Sequence, residues 1–398
     1  MWNISKEAKE NFSKYNLLPI HESDNEWEIA LKEAKEEGED IIVDLSEELE
    51  AVKEELFHVL PSRFVPYLNN GTLNQPTLPK AVREDYLQWM RESDKEFEQI
   101  LNVAYENTKK TITHLPTSVQ DVFMESLHDS TIERVERQKD TLHLFVNIDG
   151  GFSSIALIHF IFKGIISEIT DEPIQVGQSF IYDELQKIDD GFALRVLFEC
   201  PESQWTIKMN ELDAHYYYHP MEYTRLRDED KLDDTSITEY ITKLDLENRY
   251  WFITPHVTCA IQSLSDNVVI ENGSIEFGQS EIVVIVGNKR YSYDLNEYNP
   301  IEFIYTNVYE DPHAHFNTPL PTEEIEVAAL SDDLELQVRA WNTMYANPKE
   351  LVDIINRILW KIEITEENEM MINVYVNHFY ENDILIEEII EKYQTLLD

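Results

Sequence analysis

The chain has 398 residues, 78 of them acidic against 32 basic, for a formal charge of −46; 42% are hydrophobic and 11% aromatic. The apolar share is enough to build cores, which excludes global disorder, and the length predicts two or three domains. A field of this sign repels nucleic-acid phosphates and anionic membranes, so neither is expected as a partner; a basic protein is the partner it attracts.

The first ~125 residues read as helix. After a short amphipathic start, Trp27, Ala30, Leu31 and Ala34 set an apolar stripe that Ile41, Ile42, Leu45, Leu49, Val52, Leu56 and Leu60 continue, with Gly38 as a break or kink and Pro61 as the stop. The segment PSRFVPYLNNGTLNQPTLPK is a loop. A second long helix is predicted over 79–110 and a short one over 117–127.

The period then changes to two. Residues 131–223 predict an antiparallel sheet, with hairpin turns at DGG (149–151) and at Asp190-Gly191. The charged stretch RLRDEDKLDDTS (225–236) is the best domain boundary. Short strands resume beyond it, with hairpin signals at Asn272-Gly273 and Gly287-Asn288. Pro319 and Pro321 mark a second break before a mainly helical tail, in which Pro348 starts a helix and MMINVYVNHF reads as a strand. The expected regions are therefore 1–130 helical, 131–224 an antiparallel sheet packed on it, 237–318 a second β-rich domain, and 322–398 mainly helical: an α+β fold.

Glycine is scarce, at 10 residues, and no run approaches the roughly 18 apolar residues of a membrane span. The start MWNISKEAKE lacks a basic segment followed by an apolar one, so a cytoplasmic protein is expected. Cys200 and Cys259 sit in or near strand-like sequence and read as free thiols. Common nucleotide, hydrolase and zinc signatures (GxxxxGK[ST], GxGxxG, GxSxG, HExxH, paired CxxC) do not occur.

Two histidine pairs remain. In ELDAHYYYHPM, His215 and His219 share one helical face and could bind a metal there. Tyr216, Tyr217 and Tyr218 favour a strand instead, which spreads the histidines roughly 13 Å apart. The stretch then reads as an aromatic contact surface, with the three tyrosines as candidate binding residues. In DPHAHF, extended geometry would put His313 and His315 on one face about 6.6 Å apart, with Asp311 on the same side. These three are the candidate ligands for a divalent metal; otherwise no cofactor is expected. His256 and Cys259, three apart on a strand, face opposite sides and make a poor catalytic pair. Paired acids such as Asp189-Asp190 and Asp233-Asp234 are what so acidic a chain contains by chance, and they read as solvated loop.

The stretches GTLNQPTLPKAVREDYLQWMRESDKEFEQIL and SFIYDELQKIDDGFALRVLFECPES, with the start MWNISKEAKENFSKYNLLPIHESD, resemble a bacterial domain-of-unknown-function family, mostly from Gram-positive bacilli. The resemblance covers about residues 1–220. It implies a helical part followed by β structure in a cytoplasmic bacterial protein, and it carries no catalytic residues. The reading that follows is a non-catalytic acidic binding protein, of immunity or antitoxin type, that covers a basic toxin or nuclease. The alternatives are a metal-dependent hydrolase built on the His/Asp cluster and a structural or oligomeric scaffold.

Overall fold

Serine caps open the first two helices. In the computed structural model, which describes residues 2–38, 40–149, 153–264, 268–365 and 368–397, the Ser5 hydroxyl accepts from the Ala8 amide at the head of α1 (Lys6–Tyr15). Ser23 does the same for Glu26 in α2 (Asp24–Glu37), and the Glu26 carboxylate reaches back to the Glu22 amide. Gly38, at φ +83°, ends α2 in the left-handed conformation that suits glycine. The periodic run breaks there and resumes as α3 (Ile41–Val59). α4 (Val65–Asn69), the 33-residue α5 (Lys80–Ile112) and α6 (Thr117–Met124) follow. Leu18, Leu49, Leu56, Phe64 and Tyr86 form a small helical core.

The period-two region closes into a barrel. Its strands are β1 (Thr131–Gln138), β2 (Thr141–Asn147), β3 (Leu157–Thr170), β4 (Ser179–Ile188), β5 (Gly191–Glu199) and β6 (Ser203–Tyr217), in the order β1-β2-β3-β6-β5-β4. β1 meets β4 at the Thr131–Ser179 pair, beside a backbone bond from Phe180 N to Ser130 O of 2.8 Å. Alternation points Leu144, Phe160, Phe162, Phe198, Trp205 and Ile207 inward, none more than 1% exposed, so the interior is packed core. At the β4–β5 turn Gly191 has φ +142°, and a Cβ there would lie 2.2 Å from Met209 O. The DGG turn expected at 149–151 includes Gly150 and Gly151, which lie outside the described residues. α5 packs on the outside of the barrel, where Leu101 and Ala104 meet Tyr182 and Leu197.

After α7 (Met221–Asp228) and α8 (Ile237–Lys243), the chain builds a second antiparallel sheet. Its strands are β7 (Tyr250–Ile253), β8 (Thr258–Ser263), β9 (Val269–Ile270), β10 (Gly273–Phe277), β11 (Glu281–Val286), β12 (Lys289–Asp294) and β13 (Ile304–Thr306), ordered β12-β11-β10-β9-β8-β7-β13. Asn272 and Gly287, at φ +57° and +59°, make the two expected hairpin turns. Tyr218 and Thr306 exchange backbone bonds of 2.8 and 2.9 Å, which joins this sheet to the barrel. Phe145, Leu157, Tyr217 and Ile253 are buried together at the same junction.

Packing divides the chain into two compact units, Met1–His219 with Asp245–Val308, and Pro220–Leu244 with Tyr309–Asp398. The second unit contains α7, α8, α9 (Thr322–Ala329), α10 (Leu334–Ala346), α11 (Val352–Lys361), α12 (Glu369–Glu381) and α13 (Glu387–Lys392). Its core includes Trp341, Met344, Ile355, Leu359, Phe379 and Tyr393. The stretch MMINVYVNHF is helical rather than extended: Ile372, Val376 and Phe379 recur at helical spacing and are buried on one side of α12. Pro348 opens a single 3-10 turn, and α11 starts at Val352. The charged stretch 225–236 falls within this unit, beginning on α7, where Arg225 pairs with Glu222 and Glu229. Among the described residues no helix is long and apolar enough to cross a membrane. The architecture is α+β, with helices at both ends and two antiparallel sheets between.

Candidate ligand-binding cleft

Alternation on three neighbouring strands lines the outer barrel wall with imidazoles. In β2 (TLHLFVN), β3 (LIHFIF) and the end of β6 (DAHYY), the neighbours Leu142, Leu144, Ile158, Phe160 and Ala214 point into the core, so His143, His159 and His215 point out. Strand register sets His159 directly opposite Phe145 on one side and His215 on the other, with His143 one outward position along β2. His143 Nδ1 and His159 Nε2 are 3.0 Å apart, so one ring donates to the other. The His159 ring stacks on Phe145, with centroids 4.0 Å apart, and lies 5.9 Å from the His215 ring. Burial, reinforced by His143, His215 and Arg134, pushes the His159 pKa down to about 3, which keeps this imidazole neutral.

The second sheet supplies the facing wall. Buried Arg134, on β1, bridges the two walls. Its guanidinium donates to Thr254 O at 2.7 Å and to the Thr258 hydroxyl, and lies 3.6 Å over the Phe145 ring. Its Nε is 3.2 Å from Glu136. Trp251 meets Tyr217 edge-on at 5.5 Å. His256 stacks on Tyr291 at 5.2 Å and sets its Nδ1 3.2 Å from the Tyr293 hydroxyl. Between these walls is an open cleft of about 810 Å³. Four of the chain's 12 histidines line it, with Arg134 and Lys289, against one acidic residue among the described lining, Glu136.

A family model described as a protein of unknown function (DUF4085) matches residues 5–209. The chain belongs to this family. No curated protein and no solved structure matches it. The DUF4085 region takes in the N-terminal helices and the barrel up to Met209 on β6. It therefore holds Arg134, His143 and His159, whereas His215, Trp251, His256 and Tyr291 lie beyond it.

The tyrosine triplet is strand through Tyr217, and its members differ in setting. The Tyr216 hydroxyl donates to Asp121 at 2.8 Å, and its ring meets Tyr218 edge-on. Tyr217 is buried, and that burial raises its phenol to about 12. Tyr216 and Tyr217 line the cleft. His215 also lines it, whereas His219 stacks on Tyr305 and sets its Nε2 3.2 Å from Asp149. DPHAHF is not extended: Ala314–Asn317 is a 3-10 turn, the Asp311 carboxylate accepts from the His313 amide, and both histidine rings pack against Phe316. The one-face spacing expected of His313 and His315 is therefore lost, and His313 Nε2 lies 3.8 Å from Asp228. Among the described residues, no three or more His, Cys, Asp or Glu side chains form a group that could hold a metal. The Cys259 thiol is directed at Phe252 O, and burial raises its pKa to about 11, which disfavours the thiolate at neutral pH.

Sequence reasoning missed His143 and His159, and took His256 only as half of a poor catalytic pair with Cys259. A signal for the first two was present: each is a polar break in an apolar alternation, LHLF and IHFI, on strands joined in sequence. What makes them a cluster is register across β2, β3 and β6, which those short stretches do not carry.

Proposed function

We propose that this chain is a non-catalytic binding protein and that the cleft holds a small, flat ligand carrying negative charge. The observation that supports this most is the local inversion of charge: in a chain of −46, the formally charged groups among the described lining of the cleft are Arg134 and Lys289 against Glu136, and four imidazoles add polar contacts beside them. Distant carboxylates are screened beyond about 8 Å at physiological salt, so the nearest groups decide what binds. Trp251 and Tyr291 offer flat faces, and ring–ring contacts prefer stacked or edge-on geometry. The volume falls within the ~300–1,000 Å³ of small-molecule sites. Binding is favoured over catalysis because His159 is neutral and its partner is another imidazole rather than a nucleophile.

The test is calorimetric titration with salicylate against its neutral amide, and with a nucleoside monophosphate against the nucleoside. The charged member of at least one pair is expected to bind about tenfold tighter, a difference of ~1.4 kcal/mol. Lys289→Glu with Tyr291→Ala, both on the second-sheet wall, should remove that preference. Equal or absent binding within both pairs refutes the reading.

A second reading is favoured by the net charge itself: the acidic exterior covers a basic protein, such as a toxin or nuclease, in the immunity or antitoxin manner and in a bacterial cytoplasm. Steering of that kind predicts an association rate with a basic protein encoded beside it that falls about tenfold or more from low to physiological salt. A salt-independent rate would remove it.

A further inference from the structure

Asp183 sits on β4 between Tyr182 and Glu184, and the two carboxylates face opposite ways. Glu184 accepts from the Asn3 and Ile4 amides and from the side chains of Asn3, Asn107 and Gln186. Asp183 lies opposite core residue Val196 of the neighbouring strand β5 and has no hydrogen-bond or ion-pair partner among the described residues. Burial, then the negative charge of Glu184, pushes its carboxyl up to about 6. What surface it keeps faces a pocket of about 360 Å³ between α5, β4 and residues 123–128.

The walls of that pocket are apolar, with Ile4, Leu101, Phe123 and Leu127, and the rings of Tyr105 and Tyr182 complete them. Its acids are Asp183 and Glu125; no lysine or arginine occurs among its described lining. His128 is 3.0 Å from Asp129, and Lys109 Nζ lies 5.8 Å over the Tyr105 ring. No described residue lines both this pocket and the cleft. Asp183 is partly buried, and a carboxylate partly withdrawn from water without a counter-charge is a place for a cation. Tyrosine faces attract cations as well, and the acidic exterior raises their local concentration.

We propose that this pocket binds a small organic cation, a primary ammonium on a short apolar body, with the ammonium on Asp183 and the body against Leu101, Phe123 and Leu127. Asp183 must be ionised to hold it. The proposal is independent of what the cleft binds.

The experiment uses the full chain with benzylamine, and benzyl alcohol as the uncharged isostere. At pH 7.5 benzylamine is expected to raise Tm in a concentration-dependent way, benzyl alcohol is not, and Asp183→Asn should weaken benzylamine binding at least tenfold. Asp183→Asn alone should melt no lower than the wild type, since it removes an unpaired charge. A second measurement needs no variant: wild-type affinity for benzylamine should fall about tenfold from pH 7.5 to pH 5, as the Asp183 carboxyl takes up its proton. No benzylamine response, an equal response to the alcohol, or an affinity unchanged over that pH range each overturns the proposal.

Discussion

Two cavities open from one barrel, and their chemistry is opposite. The cleft on the outer wall of β2, β3 and β6 gathers four histidines, Arg134 and Lys289. The pocket by β4 gathers Asp183 and Glu125 among apolar side chains. Net charge therefore says little about either site: a chain of −46 builds a wall of donors in one place and leaves a carboxylate without a partner in another. The difference follows from construction. The cleft needs the second sheet to complete it, and that sheet lies beyond the family match at residues 5–209. The pocket is made by α5, β4 and residues 123–128, which that match covers.

The largest expected effect is at the residue that binds the cleft's two walls together. Arg134→Ala removes the bond to Thr254 O, the bond to the Thr258 hydroxyl and the stack on Phe145, and leaves a buried carbonyl without its donor. A loss of about 2–4 kcal/mol is expected in urea unfolding. Hydrogen exchange should quicken in β7 and β8, and any ligand of the cleft should bind more weakly. The benzylamine response should persist, because Arg134 takes no part in the other pocket. A loss under about 0.5 kcal/mol, the scale of ordinary surface substitutions, would show that Arg134 is not the clasp. Loss of the benzylamine response with it would show that the cavities are coupled.

Local signals carried much of this fold. Ser5, Ser23, Gly38 and Pro61 mark helix ends, and the apolar stripe between them is legible without any partner. Asp190-Gly191, Asn272 and Gly287 mark turns because their backbone angles suit few other residues. Closure was not legible: it depends on β1 pairing with β4, some fifty residues apart, and alternation reads the same in a flat sheet and a barrel. The strand reading of MMINVYVNHF failed because tertiary burial of Ile372, Val376 and Phe379 outweighs the weak strand preference of valine and tyrosine. For the sites, ELDAHYYYHPM correctly drew notice to β6. The neighbours that turn His215 into part of a cleft, however, come from β3 and β8 and from beyond Trp251. Asp183 looked like one acid among 78; its lack of a partner among the described residues is a fact of packing.

The smallest expected effect separates the cavities by the sign of their pH dependence. The folded-state pKa of His159 is depressed from 6.5 to about 3, so the unfolded chain binds its proton first. Its contribution to stability is complete above pH 6.5 and is lost as pH falls toward 3. The carboxyl of Asp183 is raised from 3.8 to about 6, so the folded chain holds that proton more tightly. Its contribution is complete below pH 3.8 and is lost as pH rises through 6. Over pH 4 to 6 the two slopes oppose, and the wild type should show a flattened profile. Asp183→Asn should steepen the rise of stability with pH across this window, and His159→Phe should flatten or reverse it. Each change is about 1–2 kcal/mol after allowance for partial exposure. Urea midpoints at pH 4, 5 and 6 read both slopes. If the two variants shift the profile in the same direction, the opposition of the two cavities is wrong at one of these residues, and the variant that moves against its expected sign identifies which.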